Sequence, residues 1–233
     1  MRDFSPADQL IFGLINASLL FVLAYWILGF DQQFATGFAI EDGPVEYGTA
    51  ILLFVSACVL GWQGAAMLWT GRVVAAVLLL IYALMFVFGA GEEISWGQRI
   101  FDIETPEYFM ENNFQQEITI HNLVFGGRQL TKTLFGSFLT VAILLYLVVL
   151  PLLYPRVRLI ASVIDYLVVP LPGKRHAVVA LVASLVMLLV DLPRKWEVYE
   201  FIFGLLTLSI FLAPANKTGP LGQKERSTHT LGT

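Results

Sequence analysis

Long apolar runs separated by short polar joints dominate the chain. A spanning helix needs about 20 mostly apolar residues to cross the hydrocarbon core of a bilayer. Six runs meet or approach that length, at residues 10–30, 47–69, 73–91, 133–153, 177–192 and 196–213. The fifth is the shortest and must draw on its flanks or on locally thinned bilayer. A further apolar run, residues 159–171, contains Asp165 and ends in Pro170 and Pro172. It is too short to span, and Arg156, Arg158, Lys174 and Arg175 flank it, so it predicts a helix lying in the interface. The opening Met1-Arg2-Asp3-Phe4 resembles the start of a signal sequence. The run behind it is too long for such a peptide and no A-x-A-like site follows, which predicts a retained anchor.

Composition narrows the class further. The chain is 57% hydrophobic and 14% charged, with a mean hydropathy of +0.73, whereas a soluble domain carries about 25% charged residues. A soluble enzyme and a disordered chain are excluded. The net charge of -4 leaves no basic surplus for phosphates, which excludes a nucleic-acid partner. The single cysteine, Cys58, rules out an intramolecular disulfide and a Cys-based zinc site. The predicted fold is an all-α polytopic membrane bundle of about six spans. It forms one transmembrane domain over residues 1–216, followed by a disordered cytoplasmic tail at 217–233 in which His229 has no role.

Basic residues set the orientation. With six spans and a cytoplasmic N-terminus, nine lie inside: Arg2, Arg72, Arg156, Arg158, Lys174, Arg175, Lys217, Lys224 and Arg226. Five lie outside: Arg99, Arg128, Lys132, Arg194 and Lys195. This satisfies the positive-inside rule and puts both termini in the cytoplasm; a seventh span would reverse the excess. Most of the acidic residues then fall on the outer side, many at helix ends.

Two outer segments hold the candidate chemistry. The first is Glu41-Asp42-Gly43-Pro44-Val45-Glu46-Tyr47, in which Gly43-Pro44 marks a helix start and Asp42 suits its positive end. Glu46 lies a turn further in, at the edge of the apolar run. The second is Gly91-Glu92-Glu93-Ile94-Ser95-Trp96-Gly97-Gln98-Arg99. A continued helix would align Glu92, Ser95 and Arg99, with Glu92 and Glu93 at the hydrocarbon boundary. Adjacent carboxylates there need a compensating cation, and Arg99 could supply it in a structural clasp. Ionisable groups at that depth otherwise point to function.

The loop from residue 100 to Lys132 is long enough to suggest function. Thr105-Pro106-Glu107 predicts an N-capped short helix, and Asn113-Phe114-Gln115-Gln116 a second one through a capping box. On that second helix, or on an alternating strand, Glu117 and His121 would share a face. Gly126-Gly127 marks a break before the fourth span. Glu46, Glu93, Glu117 and His121 form an oxygen-rich set suited to Mg²⁺, Mn²⁺ or Ca²⁺. No HExxH or paired Glu-x-x-His spacing is present. Ser95 with His121 lacks the G-x-S-x-G context of a hydrolase. Glu197 and Glu200 share a face near Asp191 and could join the cluster, with Arg194 and Lys195 as local partners. Ala57, Gly61 and Ala65 form a small-residue stripe of the kind used in close helix packing.

The segments E-D-G-P-V-E-Y, G-E-E-I-S-W-G-Q-R-I-F, E-T-P-E-Y and Q-x-E-I-T-I-H-N-L together resemble a family of uncharacterised bacterial multi-pass membrane proteins. The resemblance covers residues 41–123, implies a bacterial cytoplasmic membrane, and brings no activity with it.

The leading functional expectation is a cation-dependent enzyme acting on a lipid or lipid-linked substrate. Glu92, Glu93 and His121 would serve as acid and base, and Gln98 and Arg99 would bind an anionic group. The alternative is a non-catalytic accessory or scaffold subunit whose outer loop docks a membrane-protein partner or a second copy. Ion-coupled transport ranks last, because no run carries a clear mid-membrane charge.

Overall fold

A computed structural model describes residues 5–130 and 138–216. The expectations for residues 1–4, Lys132, the first part of the fourth run and the 217–233 tail lie outside them. The described chain is all-α apart from one small hairpin. Three helices are long and apolar enough to cross a membrane: α1 (Pro6–Leu28), α2 (Pro44–Trp69) and α3 (Val73–Glu93). The six expected spans are thus met by three; the other runs form shorter or more polar helices.

Helix α1 starts four residues before its apolar run because Ser5 and Asp8 close a capping box around Pro6. It ends at Gly29, whose left-handed φ of 69° lets the last carbonyls find donors. Helix α2 begins at Pro44 as expected, but its cap is Gly43 rather than Asp42. A Cβ on Gly43 would lie 2.4 Å from the Ile40 carbonyl oxygen, so only glycine fits there. Helix α3 does not continue through Arg99. It stops at Glu93, and Ser95, Trp96 and Gly97 follow with φ of 48°, 54° and 76°.

Beyond it lie α4 (Glu107–Asn112) and a hairpin of β1 (Val124–Phe125) and β2 (Arg128–Gln129). Gly126 and Gly127 turn the hairpin with φ of 56° and 76°, the positive values that a tight two-residue turn requires. Helix α5 (Leu139–Leu153) contains a π segment at Leu145–Val149, just before Pro151. Proline inside a helix has no N–H to give and crowds the carbonyl four residues back, which accounts for the looser turn. Then come α6 (Arg158–Tyr166), α7 (Lys174–Leu189) and α8 (Lys195–Leu212). The fifth run therefore starts and ends three residues earlier than predicted.

Helix α8 is the centre of the bundle. Ile202, Leu206 and Ile210 are fully buried, and it packs against α1, α2 and α7. Glycines permit the closest approach: a Cβ on Gly204 would meet Leu52, and one on Gly48 would meet Phe201. This pairing makes α2 and α8 parallel. Gly64 lies against the Ala76 carbonyl oxygen, so Gly64 joins α2 to α3, while Gly61 of the predicted stripe faces open space.

The joints 29–43, 94–130 and 190–194 meet at one end, here called outer. The opposite end is tied by a polar network that the sequence did not announce. Asp8 is buried and accepts from Arg175 at 2.9 Å and from the Ser209 hydroxyl at 3.0 Å. His176 Nδ1 accepts the Gly173 N–H at 2.9 Å, which leaves Nε2 to donate to Ser209 at 3.0 Å. Nearby, the irregular stretch 167–171 is half-buried to buried, and three of its carbonyls are satisfied by side chains. Tyr82 donates to Leu167, Tyr146 to Pro170 and Asn216 to Val169. Non-helical backbone at such depth requires this kind of internal pairing.

Candidate functional site: an acidic cluster beside a clasped loop

The sequence-predicted residues converge at the outer end, but they divide into two groups. The first group holds the loop down. Glu92, buried at the end of α3, accepts the Trp96 indole N–H at 2.7 Å through one oxygen. Its other oxygen accepts the Ile120 N–H at 2.8 Å, the His121 N–H at 2.9 Å and the His121 ring at 3.0 Å. The carboxylate must be the acceptor, so His121 Nδ1 carries the hydrogen. Gln98 works the same way: it donates to Thr105 Oγ1 at 2.5 Å and accepts the Ile118 N–H at 2.8 Å.

Arg99 joins three carboxylates, those of Asp42, Glu117 and Glu41. Burial works against its charge, but the hydrogen bond to Asp42 and the charges of Asp42, Glu41 and Glu46 outweigh it and raise its pKa further. Glu41 in turn reaches Arg194 at 3.3 Å, and Arg194 binds Glu197 at 3.1 Å and the Ala39 carbonyl oxygen at 2.7 Å. One chain of ion pairs thus ties all three outer joints together. Six of the seven described non-glycine residues with left-handed backbone lie in this region: Asp42, Ser95, Trp96, Asp102, Gln116 and Arg194. Each such residue costs on the order of 1 kcal/mol or more, so the network must hold them in place.

The loop corrects two expectations. Thr105 does not cap α4; its hydroxyl accepts from Gln98 and donates to the Gln116 carbonyl oxygen at 2.9 Å, and the helix starts at Glu107. No second helix forms from Asn113. Its side chain instead accepts the Gln115 N–H and donates to Thr119, which winds residues 113–119 into turns. Glu117 and His121 are thereby separated. Glu117 accepts from Ser95 at 2.5 Å and pairs with Arg99, while His121 goes to Glu92.

The second group is a set of carboxylates that the clasp leaves over. Glu46 on α2, Glu93 on α3, and Glu197 and Glu200 on α8 stand within range of one another's charge. His121 lies within range of Glu93 and Glu197. Glu46 accepts the Asp42 N–H at 2.7 Å, and Glu197 has Arg194. Glu93, which is half-buried, and Glu200, which is exposed, have no hydrogen-bond or ion-pair partner among the described residues. Asp191 stays exposed at the α7 terminus. Among the described residues no three His, Cys, Asp or Glu side chains are gathered closely enough to hold a bare metal ion.

The shared face of Glu197 and Glu200 was legible in the sequence; the parallel packing of α2 and α8 that sets them near Glu46 was not. Glu41, the link between both arginines, was equally hidden, because its partners lie 58 and 153 residues away. Compared with protein-family models, with curated proteins and with solved structures, the chain finds no match.

Proposed function

We propose that this chain is an integral membrane protein of a bacterial cytoplasmic membrane, with six spans and both termini inside, whose outer carboxylate cluster binds a divalent cation. Glu46, Glu93, Glu197 and Glu200 supply the charge, and His121, steered by Glu92, stands at the edge. The observation that carries the reading is the pair of partnerless carboxylates, Glu93 and Glu200, inside a four-carboxylate cluster. Like charges this close are stable only with a cation or with protons taken up in its place.

A hydrated ion suits a set whose described side chains form no close ligand cage. Mg²⁺ keeps several of its waters and uses one or two carboxylates plus a substrate phosphate; Mn²⁺ and Ca²⁺ share its preference for oxygen. A cation so held polarises phosphoryl or carbonyl oxygens and acidifies bound water. On the six-span reading the cluster would meet lipid headgroups, which favours a lipid or lipid-linked substrate. Glu93 and His121 are the groups in position to move a proton. Glu92, Glu117, Gln98 and Arg99 act by holding the loop beside the cluster. Binding of Mn²⁺ to detergent-purified protein, followed by electron paramagnetic resonance, tests the reading. A saturable site lost in Glu93→Gln and in Glu200→Gln is expected; no saturable binding to folded wild type would overturn it.

A second reading, an accessory subunit that docks a partner, is favoured by the loop's exposed aromatic residues. Phe101, Phe114 and Phe125 are 72%, 66% and 69% exposed. Stoichiometric co-purification of one partner, lost on Phe101→Ser with Phe114→Ser, would select it.

A further inference from the structure

We propose that the inner-end helix α6, with the residues flanking it, is a binding surface for anionic phospholipid. Ile160, Ile164 and Leu167 are half-buried against the bundle, and Tyr82 pins the Leu167 carbonyl at 3.0 Å. At the helical period, Val163, Leu159 and Tyr166 continue this apolar arc sideways, away from the protein. They are 46%, 73% and 74% exposed. The apolar arc of α6 is therefore wider than the surface the bundle covers. Leu152 on α5 and Val178 on α7, at the same end of the bundle, are exposed apolar residues as well.

Charge decides what meets that edge. Arg156, Arg158 and Lys174 are all exposed. Arg156 donates to the Leu152 carbonyl oxygen at 2.6 Å, whereas Arg158 and Lys174 have no carboxylate partner among the described residues. The one acid of the helix, Asp165, is engaged by the Tyr154 hydroxyl at 2.8 Å. Burial and this hydrogen bond push Tyr154 up to about 12, so the phenol keeps its proton and stays a donor. An apolar edge rimmed by unpaired cations complements a ligand with acyl chains below a negative headgroup. A soluble acidic partner would leave Leu159 and Tyr166 facing water. The proposal rests on the membrane reading but not on the cation site, which lies at the other end of the bundle.

Native mass spectrometry of the full-length protein, titrated with phosphatidylglycerol and phosphatidylcholine of matched chains, tests it. Wild type should take up phosphatidylglycerol in preference. In Arg158→Gln with Lys174→Gln that affinity should fall about 30-fold, from about 1 kcal/mol per basic residue and 1.4 kcal/mol per decade. Phosphatidylcholine uptake should not change, which also reports an intact fold, and Arg158→Lys with Lys174→Arg should keep the preference. Equal uptake of both lipids by wild type would overturn the proposal, as would undiminished phosphatidylglycerol binding by the Gln variant.

Discussion

One carboxylate oxygen of Glu92 holds His121 twice, taking its backbone N–H at 2.9 Å and its ring Nδ1 at 3.0 Å. The residue that reads in sequence as a catalytic acid is thus the peg on which the outer loop hangs. Carboxylates behind a histidine commonly fix its tautomer and aim its other nitrogen, and Glu92 is placed to do so here.

Glu92→Gln puts an amide nitrogen where an acceptor is needed. Hydrogen bonds to a charged group contribute about 1.5–3 kcal/mol each, so the loop should open more easily by about 2 kcal/mol. Hydrogen exchange at the Ile120 and His121 amides would then speed up about 30-fold. Unchanged protection at these two amides would contradict the anchoring role.

Gly91 lies beneath the Trp96 ring, where an added Cβ would come within 2.8 Å of two ring carbons. Gly91→Ala should push the indole away from Glu92 and destabilise the outer end by about 1–3 kcal/mol. Thermal unfolding reports the loss, and the Trp96 emission should shift towards that of a water-exposed indole. A single-tryptophan background isolates that signal.

Glu41 bridges Arg99 and Arg194, but its side chain is 40% exposed. Solvent screening limits such pairs, so Glu41→Gln should cost about 1 kcal/mol at low salt. The difference from wild type should shrink at high salt, where the Debye length contracts to about 3 Å. Melting curves at two salt concentrations decide it.

At the inner end the geometry predicts a larger effect. Asp8 is 7% exposed in its side chain and holds Arg175 and Ser209 together. Replacing this buried acceptor removes charge-assisted hydrogen bonds from Arg175 and Ser209, at a cost of about 2–3 kcal/mol. Asp8→Asn should therefore lower the melting temperature more than Glu41→Gln and be insensitive to salt. Equal, salt-dependent shifts in the two variants would contradict the assigned burial.

The apolar runs were legible because a helix that meets lipid must be apolar along its whole length, and α2 and α3 follow their runs closely. The outer ionisable groups were also found, since charges at a span's edge stand out against such a background. What the sequence could not show was which charge meets which. Glu117 and His121 looked like face partners because their spacing suits a helix, yet Asn113 bonds its own local backbone and bends the chain into turns. Arg175 looked like an ordinary positive-inside flank; only the packing of α1 against α7 and α8 makes it the partner of the buried Asp8. Glu197 and Glu200 are 100 residues and more from Glu93, and the parallel approach of α2 and α8 is what brings them together.

On the proposed reading the leftover carboxylates, and not the clasp, hold a cation. Metal content by mass spectrometry on detergent-purified protein, equilibrated with Mg²⁺, Mn²⁺ or Ca²⁺, separates the two. Stoichiometric metal is expected in wild type and in Glu41→Gln, with its loss in both Glu93→Gln and Glu200→Gln. Metal-free wild type after each equilibration, or metal kept by both of those glutamine variants, would overturn the cation site.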